Sequence, residues 1–474
     1  MKYTLLIILI VAGLFACRKD KLSPIPETAI SDVVAFETPE RALQTVNGMY
    51  AAVKTGQFYG GRYLVYNEIR GEEFNNRTNN GITGFQTYNY TVSATLGEVG
   101  NLWNAAYTAL NRINVVIAGV QASNLPDATK SQYIAEGRFL RGLTFFSLVT
   151  LYARPYWDDN GSKPGIILYT EPQTTSGNNN KARATVAQTY DQIIADLNFA
   201  EQNLPATYST AAFNFTRAHR NAAIALKTRV YLSMRRYADV ITEANKIVSA
   251  TAPFTATTGV QHKLAANVVD VFRAGGATTE NIFSFPFTSN DLPGTQNSLN
   301  QYFGPSPGGN GDYALNTTDG IVTNTAWTAT DARRGFIEVS GGQSWFRKST
   351  ANADNVPVIR YAEVLLNLAE ALARTNGVDA RAISLLNAVR QRSDPATILA
   401  PATAQALIDA ILLERRIELL GEGFRSIDLL RLGQPLPAKP GVATTIAPND
   451  AQYIWAIPNG ELLVNKDAVQ NPLY

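Results

Sequence analysis

The chain has 474 residues with 41 Lys plus Arg against 39 Asp plus Glu, a balance that offers no strong field to nucleic acid or to an acidic membrane surface. Only two histidines are present, which excludes a histidine-rich metal site. Aromatic residues make up 10% and charged residues 17%, well under the usual quarter or so, so hydroxyls and amides carry the polarity and suit a wet, aromatic binding surface.

In chain order, the first element reads as an export signal. Met1 and Lys2 give a short basic start, Leu5 to Phe15 an apolar run, and Ala16 a small residue just before Cys17, the one cysteine of the chain. The run is too short to span a bilayer, which takes roughly 20 apolar residues. A single cysteine makes no intrachain disulfide. "LFAC" resembles a lipobox, so residues 1–16 are expected to be a lipoprotein signal peptide and Cys17 the lipidated first residue of the mature chain. An incidental cysteine in a discarded leader is the plainer alternative. Residues 17–30 carry Pro24 and Pro26 in a polar stretch and read as a tether.

"TPERALQTVNGMYAAVK" predicts the first strong helix: Thr38 can cap it, Pro39 suits its first position, and Ala42, Leu43, Val46, Met49 and Val53 recur at helical spacing. "NLWNAAYTALNRINVVIAGV" and "SQYIAEGRFLRGLTFFSLVTLYARPYW" predict two more, the second stopping near Pro155. Trp103 and Tyr107 lie on their periodic apolar faces and are expected in the core. Helix pairs follow. "RNAAIALKTRVYLSMRRYADVITEANKIVS" places Tyr231, Tyr237, Val240 and Ala244 much as a tetratricopeptide repeat does. "IRYAEVLLNLAEALARTNGVDARAISLLNAVRQR" breaks at Asn376 and Gly377, and "AQALIDAILLERRIELLGEGFRSIDLLRLG" turns at Gly421 to Gly423. Between the helices, residues 58–100 and 250–357 lose helical periodicity and fill with Gly, Asn, Thr and aromatics. "ENIFSFPF" suggests a short strand and "NNGIT" a hairpin turn. Loops this long are more often functional than idle.

These blocks carry a resemblance. "RYAEVLLNLAEALA", "LLNAVRQR", "ERRIELLGEGFRSIDLLRLG" and the ending "IWAIPNGELLVNKDAVQNPLY" are similar, in that order, to the signature blocks of the SusD/RagB family of nutrient-binding outer-membrane lipoproteins. "WNAAYTALNRIN" and "EGRFLRGLTFFSLVTLYARP" resemble its N-terminal blocks. The resemblance implies a mainly α fold over residues 31–474, a single large domain with tetratricopeptide-like pairs as scaffold and a loop-rich ligand-binding region carrying a few short strands. It also implies a surface lipoprotein that sits on a SusC-like TonB-dependent transporter, catches oligosaccharides or peptides and passes them inward, held to the outer membrane by Cys17. One departure is "CRKDK", where family members displayed on the outer face often carry acidic residues.

A sugar presents flat apolar faces edged with hydroxyls, so its site wants Trp or Tyr rings for stacking and Asn, Asp, Gln or Arg for directed hydrogen bonds. Those types interleave in the two loop-rich regions. The expected ligand-binding set is Asn75, Arg77, Tyr88, Tyr302, Trp327 and Trp345, with the rings stacking and Asn75 and Arg77 fixing orientation. For each residue alone, a ring buried on its own scaffold or a solvated amide is the competing reading. No cofactor and no metal are called for. The mixed-sign cluster Glu414, Arg415, Arg416, Glu418, Glu422, Arg425 and Asp428 is expected to be an ion-pair network rather than a catalytic acid pair. A glycoside hydrolase needs only two carboxylates, and Glu72, Glu73, Asp158 and Asp159 keep that rival open. No G-x-S-x-G, H-E-x-x-H or P-loop motif is present. A scaffold that binds peptides in grooves between helices is the other rival.

Overall fold

The computed structural model describes residues 34–474 except 176, 178 and 274, so the expected signal peptide, Cys17 and the tether lie outside the described residues. Helix α1 (Pro39–Val53) starts where the sequence predicts. Thr38 Oγ1 accepts a hydrogen bond from the Arg41 N–H at 3.3 Å, and Pro39 opens the first turn. Helix α2 (Arg62–Ile69) lies inside the first loop-rich region and is buried along its whole length. It is followed by α3 (Gly97–Ala122) and α4 (Asp127–Tyr152), the latter ending before Pro155. On α3, Trp103 is buried, and the half-buried Tyr107 hydroxyl bonds both to the Ile167 carbonyl at 2.9 Å and to its N–H at 3.0 Å.

Helix α5 (Val186–Asn203) was not predicted from periodicity, yet it opens with a reciprocal cap. Thr185 Oγ1 accepts from the Gln188 N–H at 3.1 Å, and Gln188 Oε1 accepts from the Thr185 N–H at 2.9 Å. The pairs then follow: α6 (Arg220–Ser233) with α7 (Tyr237–Ala244), and α8 (Tyr361–Asn376) with α9 (Ala380–Ser393). After them come α10 (Ala404–Glu418) and α11 (Arg425–Leu432). From α3 to α10 each helix packs on the next, so the scaffold is a continuous stack. Gly377 ends α8 with φ 78°, and Gly421 and Gly423 turn the chain from α10 to α11 with φ 78° and 84°.

Among the described residues the strands are short and form three antiparallel two-stranded sheets. β1 (Phe74–Asn76) pairs with β3 (Tyr313–Leu315), β2 (Asn281–Phe285) with β6 (Val356–Arg360), and β4 (Ile337–Ser340) with β5 (Gln343–Phe346). "ENIFSFPF" is thus a strand, as predicted. "NNGIT" is not a hairpin: β1 finds its partner in the distant β3, and residues 79–84 turn instead into a short helix at Phe85–Tyr88.

One apolar cluster runs from Ala42 to Ile457. Beside it lies a buried ionic layer joining α9, α10 and the loop-rich region. Arg333 reaches Glu414 at 2.6 Å and Glu418 at 2.9 Å, Arg360 reaches Glu418 at 2.8 Å and Glu422 at 2.7 Å, and Arg392 reaches Glu280 and Glu418 at 2.7 Å. Burial alone would push the Glu418 carboxyl up. The guanidinium groups of Arg392, Arg360 and Arg333 overcome this and hold it well below the usual carboxylate range. Asp428 shows the same balance, with burial opposed and overcome by Arg415 and Arg431, and titrates at about 2.

Candidate ligand site

The two loop-rich regions meet at the β1–β3 ladder, where Phe74, Asn75 and Asn76 face Leu315, Ala314 and Tyr313. Backbone bonds extend the pairing at both ends. The Asn316 N–H donates to the Glu73 carbonyl at 2.8 Å, and the Arg77 N–H donates to the Asp312 carbonyl at 2.8 Å. Asp312 is buried and serves as the hub of the outer end: one carboxylate oxygen accepts from Thr78 Oγ1 at 2.5 Å and the other from Asn310 Nδ2 at 3.0 Å. The preceding loop is fastened too, because Asn300 Nδ2 donates to the Gly308 carbonyl at 3.0 Å and Arg347 Nη1 donates to Asn300 Oδ1 at 2.7 Å.

An aromatic layer lies under the ladder. Tyr313 stacks on Tyr302 with centroids 6.3 Å apart, meets Tyr88 at 6.0 Å, and donates its hydroxyl to the Thr83 carbonyl at 3.0 Å. Phe74 stacks on Phe303 at 4.5 Å. Tyr88 donates to the Pro440 carbonyl at 2.6 Å, and the Lys439 ammonium sits 4.5 Å from its ring and 3.9 Å from that of Tyr90. Burial, with Arg70 nearby, drives Lys439 well below its ordinary value, and its Nζ donates to the Ile69 carbonyl.

The predicted set therefore divides. Asn75, Arg77, Tyr88, Tyr302 and Trp345 converge on the ladder and its flanks, drawn from both regions. Arg77 is exposed, and Asn75 is half-buried with its Oδ1 lacking a hydrogen-bond partner among the described residues. Trp345, on β5, keeps 6% exposure, donates Nε1 to the Ser340 carbonyl at 3.0 Å and lies against Gly311. The expectation that every ring stands open for stacking is corrected for all four, since Trp345 too is buried. Tyr88 and Tyr302 are buried as supports of the ladder. Trp327 is fully buried away from it, beneath Arg334, whose guanidinium lies 4.6 Å from the ring and also donates to the Trp327 carbonyl. The physical reason is common to all four: a large apolar ring is more stable packed on its own scaffold, out of water, than left solvated.

Sequence reading passed over Asp312, Asn310 and Thr78, which organise the exposed end of the ladder. A signal is present in "GGNGD": Gly308 and Gly311 adopt φ 111° and 71° and turn the chain so that Asn310 and Asp312 meet.

The carboxylates that left room for a hydrolase are each engaged. Arg425 Nη2 lies 2.5 Å and Arg416 Nη2 2.9 Å from Glu72, and Arg416 also pairs with Glu73, whose other oxygen accepts from the Ile321 N–H at 2.7 Å. Arg154 lies 2.6 Å from Asp158, while Ser162 and Lys163 attend the more exposed Asp159 at 2.6 and 3.4 Å. No group of three or more His, Cys, Asp or Glu able to hold a metal occurs among the described residues. None of the helices described is long and apolar enough to cross a membrane.

Comparison with known proteins gives consistent results. The profile of the SusD family matches residues 142–474, and a second profile, described as "Starch-binding associating with outer membrane", matches residues 28–232. The SusD-like protein P2 of Formosa agariphila is 24% identical over 99% of each chain. A SusD superfamily protein from Bacteroides fragilis is 34% identical and superposes with a TM-score of 0.81 over 91% of this chain and 99% of that one. Another from Bacteroides thetaiotaomicron is 24% identical with a TM-score of 0.82 over 92% of this chain and 100% of the other.

Proposed function

The chain belongs to the SusD family, and from that premise we propose that it is a binding lipoprotein that captures oligosaccharides at the cell surface and delivers them to a SusC-like TonB-dependent transporter. The observation that carries the ligand class is the match of residues 28–232 to the starch-binding profile, a span that includes β1 with Asn75 and Arg77. The ladder surface supports it. Arg77 offers an exposed guanidinium with five donors, half-buried Asn75 precedes it on β1, and Trp345 lies against Gly311. We assign ligand contact to these three residues and support of the site to Tyr88 and Tyr302; Trp327 leaves the set.

The role is capture rather than catalysis, in keeping with Glu72, Glu73 and Asp158 bound by arginines rather than presented to a substrate. Anchoring is assigned to Cys17 and the tether behind it. The test is calorimetric titration of a soluble form beginning after Cys17 against oligosaccharides and peptides. Heat from one glycan class that Arg77→Ala or Asn75→Ala abolishes supports the reading. Heat from peptides alone transfers the same surface to peptide capture, and hydrolysis of any glycan in the panel contradicts a non-catalytic role.

A further inference from the structure

Among the described residues, every aromatic side chain is buried or half-buried except Phe213, which is 39% exposed. It lies in the segment between α5 and α6 and shares no residue with the β1–β3 surface. Single exposed apolar residues are ordinary on proteins, but this one is held with unusual care. Asn214 clamps the loop: its Oδ1 accepts from the Tyr208 N–H at 2.7 Å and its Nδ2 donates to the Tyr208 carbonyl at 3.1 Å. The Tyr208 hydroxyl donates to the Ala218 carbonyl at 2.8 Å, fixing the far end of the loop. Tyr208 then meets Phe213 edge to face at 5.9 Å. The Arg217 guanidinium lies 5.4 Å from the Phe213 ring and is itself fastened to the buried Glu136 at 2.7 Å. The Phe213 ring is therefore oriented before anything touches it, which removes the ordering cost of a contact.

From this arrangement we propose that the Phe213 platform is a second carbohydrate-contact surface, which stacks the flat C–H face of one neutral sugar ring. The size and chemistry of the patch select that class. A lasting protein contact buries about 800 Å² on each side, far beyond one ring and its flanks. The neighbours Ser209 and Thr210 are exposed hydroxyls suited to sugar edges, and no carboxylate stands among residues 205–219 to recruit a cation. A long glycan held at both the ladder and the platform gains by effective concentration, whereas a short one reaches only the ladder. The inference rests on the carbohydrate reading above, and its test separates the two.

The soluble mature chain and its Phe213→Ala and Phe213→Trp variants would be run through native gels cast with laminarin, starch, xylan or levan, and titrated with a tetrasaccharide of whichever glycan retards the wild type. The proposal expects Phe213→Ala to weaken retardation by at least about fivefold and Phe213→Trp to keep it, with tetrasaccharide affinity unchanged in both. Equal retardation of wild type and Phe213→Ala overturns the platform and leaves the ladder reading intact. Absence of wild-type retardation in all four gels removes the carbohydrate reading and the platform together. Melting curves of the variants verify that the fold is kept, so that a loss of retardation reads the ring and not unfolding.

Discussion

Trp327 and Arg77 both belong to the aromatic and polar mixture of the loops, yet they have opposite physical roles. Truncating Trp327 to Ala opens a cavity beneath Arg334 and should cost roughly 3–5 kcal/mol, read as a large fall in the denaturant midpoint. Arg77→Ala removes an exposed side chain and should leave that midpoint unchanged while lowering glycan affinity about tenfold, the worth of a charged hydrogen bond. A second residue-scale prediction concerns pH. His219 and His262 stack on each other at 5.3 Å, each with a backbone carbonyl on one ring nitrogen. Burial lowers His219 to about 4, and burial together with its neighbour lowers His262 to about 3. The unfolded chain binds protons near pH 6.5 and the folded chain does not. The stability from the neutral pair is therefore complete above pH 6.5 and is lost as pH falls toward 4 and then 3. Glu68 acts in the opposite sense: burial raises it to about 7, so its contribution is complete below its unfolded value and fades as pH rises through 7. Urea midpoints measured from pH 7 to 4 should fall steeply in the wild type and less steeply in His219→Asn/His262→Asn.

The buried ionic layer ties together elements far apart in sequence. Glu418 on α10 is the shared acceptor for Arg333, Arg360 and Arg392. Glu418→Gln leaves those guanidinium groups short of charge in a site closed to water and should cost roughly 3–5 kcal/mol; a melting temperature within a degree or so of wild type would contradict that role. The helices themselves were legible in the sequence because their signals are local: Thr38 before Pro39, the break at Gly377, and the apolar period along α3 and α4. α5 escaped although Thr185 and Gln188 spell a capping box, since a four-residue cap is a weaker signal than a long apolar stripe. α2 escaped because helices buried on all sides show no stripe. The β1–β3 pairing escaped for a different reason: strands of three residues carry almost no alternation, and their register is set by tertiary contacts such as Asp312 with Thr78.

At the scale of the whole molecule, the helix stack carries two loop-rich regions and brings them to one ladder. The shared Gly, Asn and aromatic bias of the two stretches was legible and singled out Asn75, Arg77, Tyr302 and Trp345, but that the stretches meet at one ladder was not. Which rings face outward was not legible, because exposure depends on what the fold places over each ring, and only the structure separates Phe213 from Trp327. The central claim is capture of a glycan at the ladder. It is tested most directly by calorimetric titration of the soluble mature chain with a glycan panel, repeated with Arg77→Ala. Binding of one glycan class that weakens about tenfold in the variant, with the fold unchanged, is the predicted result. Binding that is indifferent to Arg77, Asn75 and Trp345 alike would contradict the assigned surface, and no binding to any glycan would contradict the function.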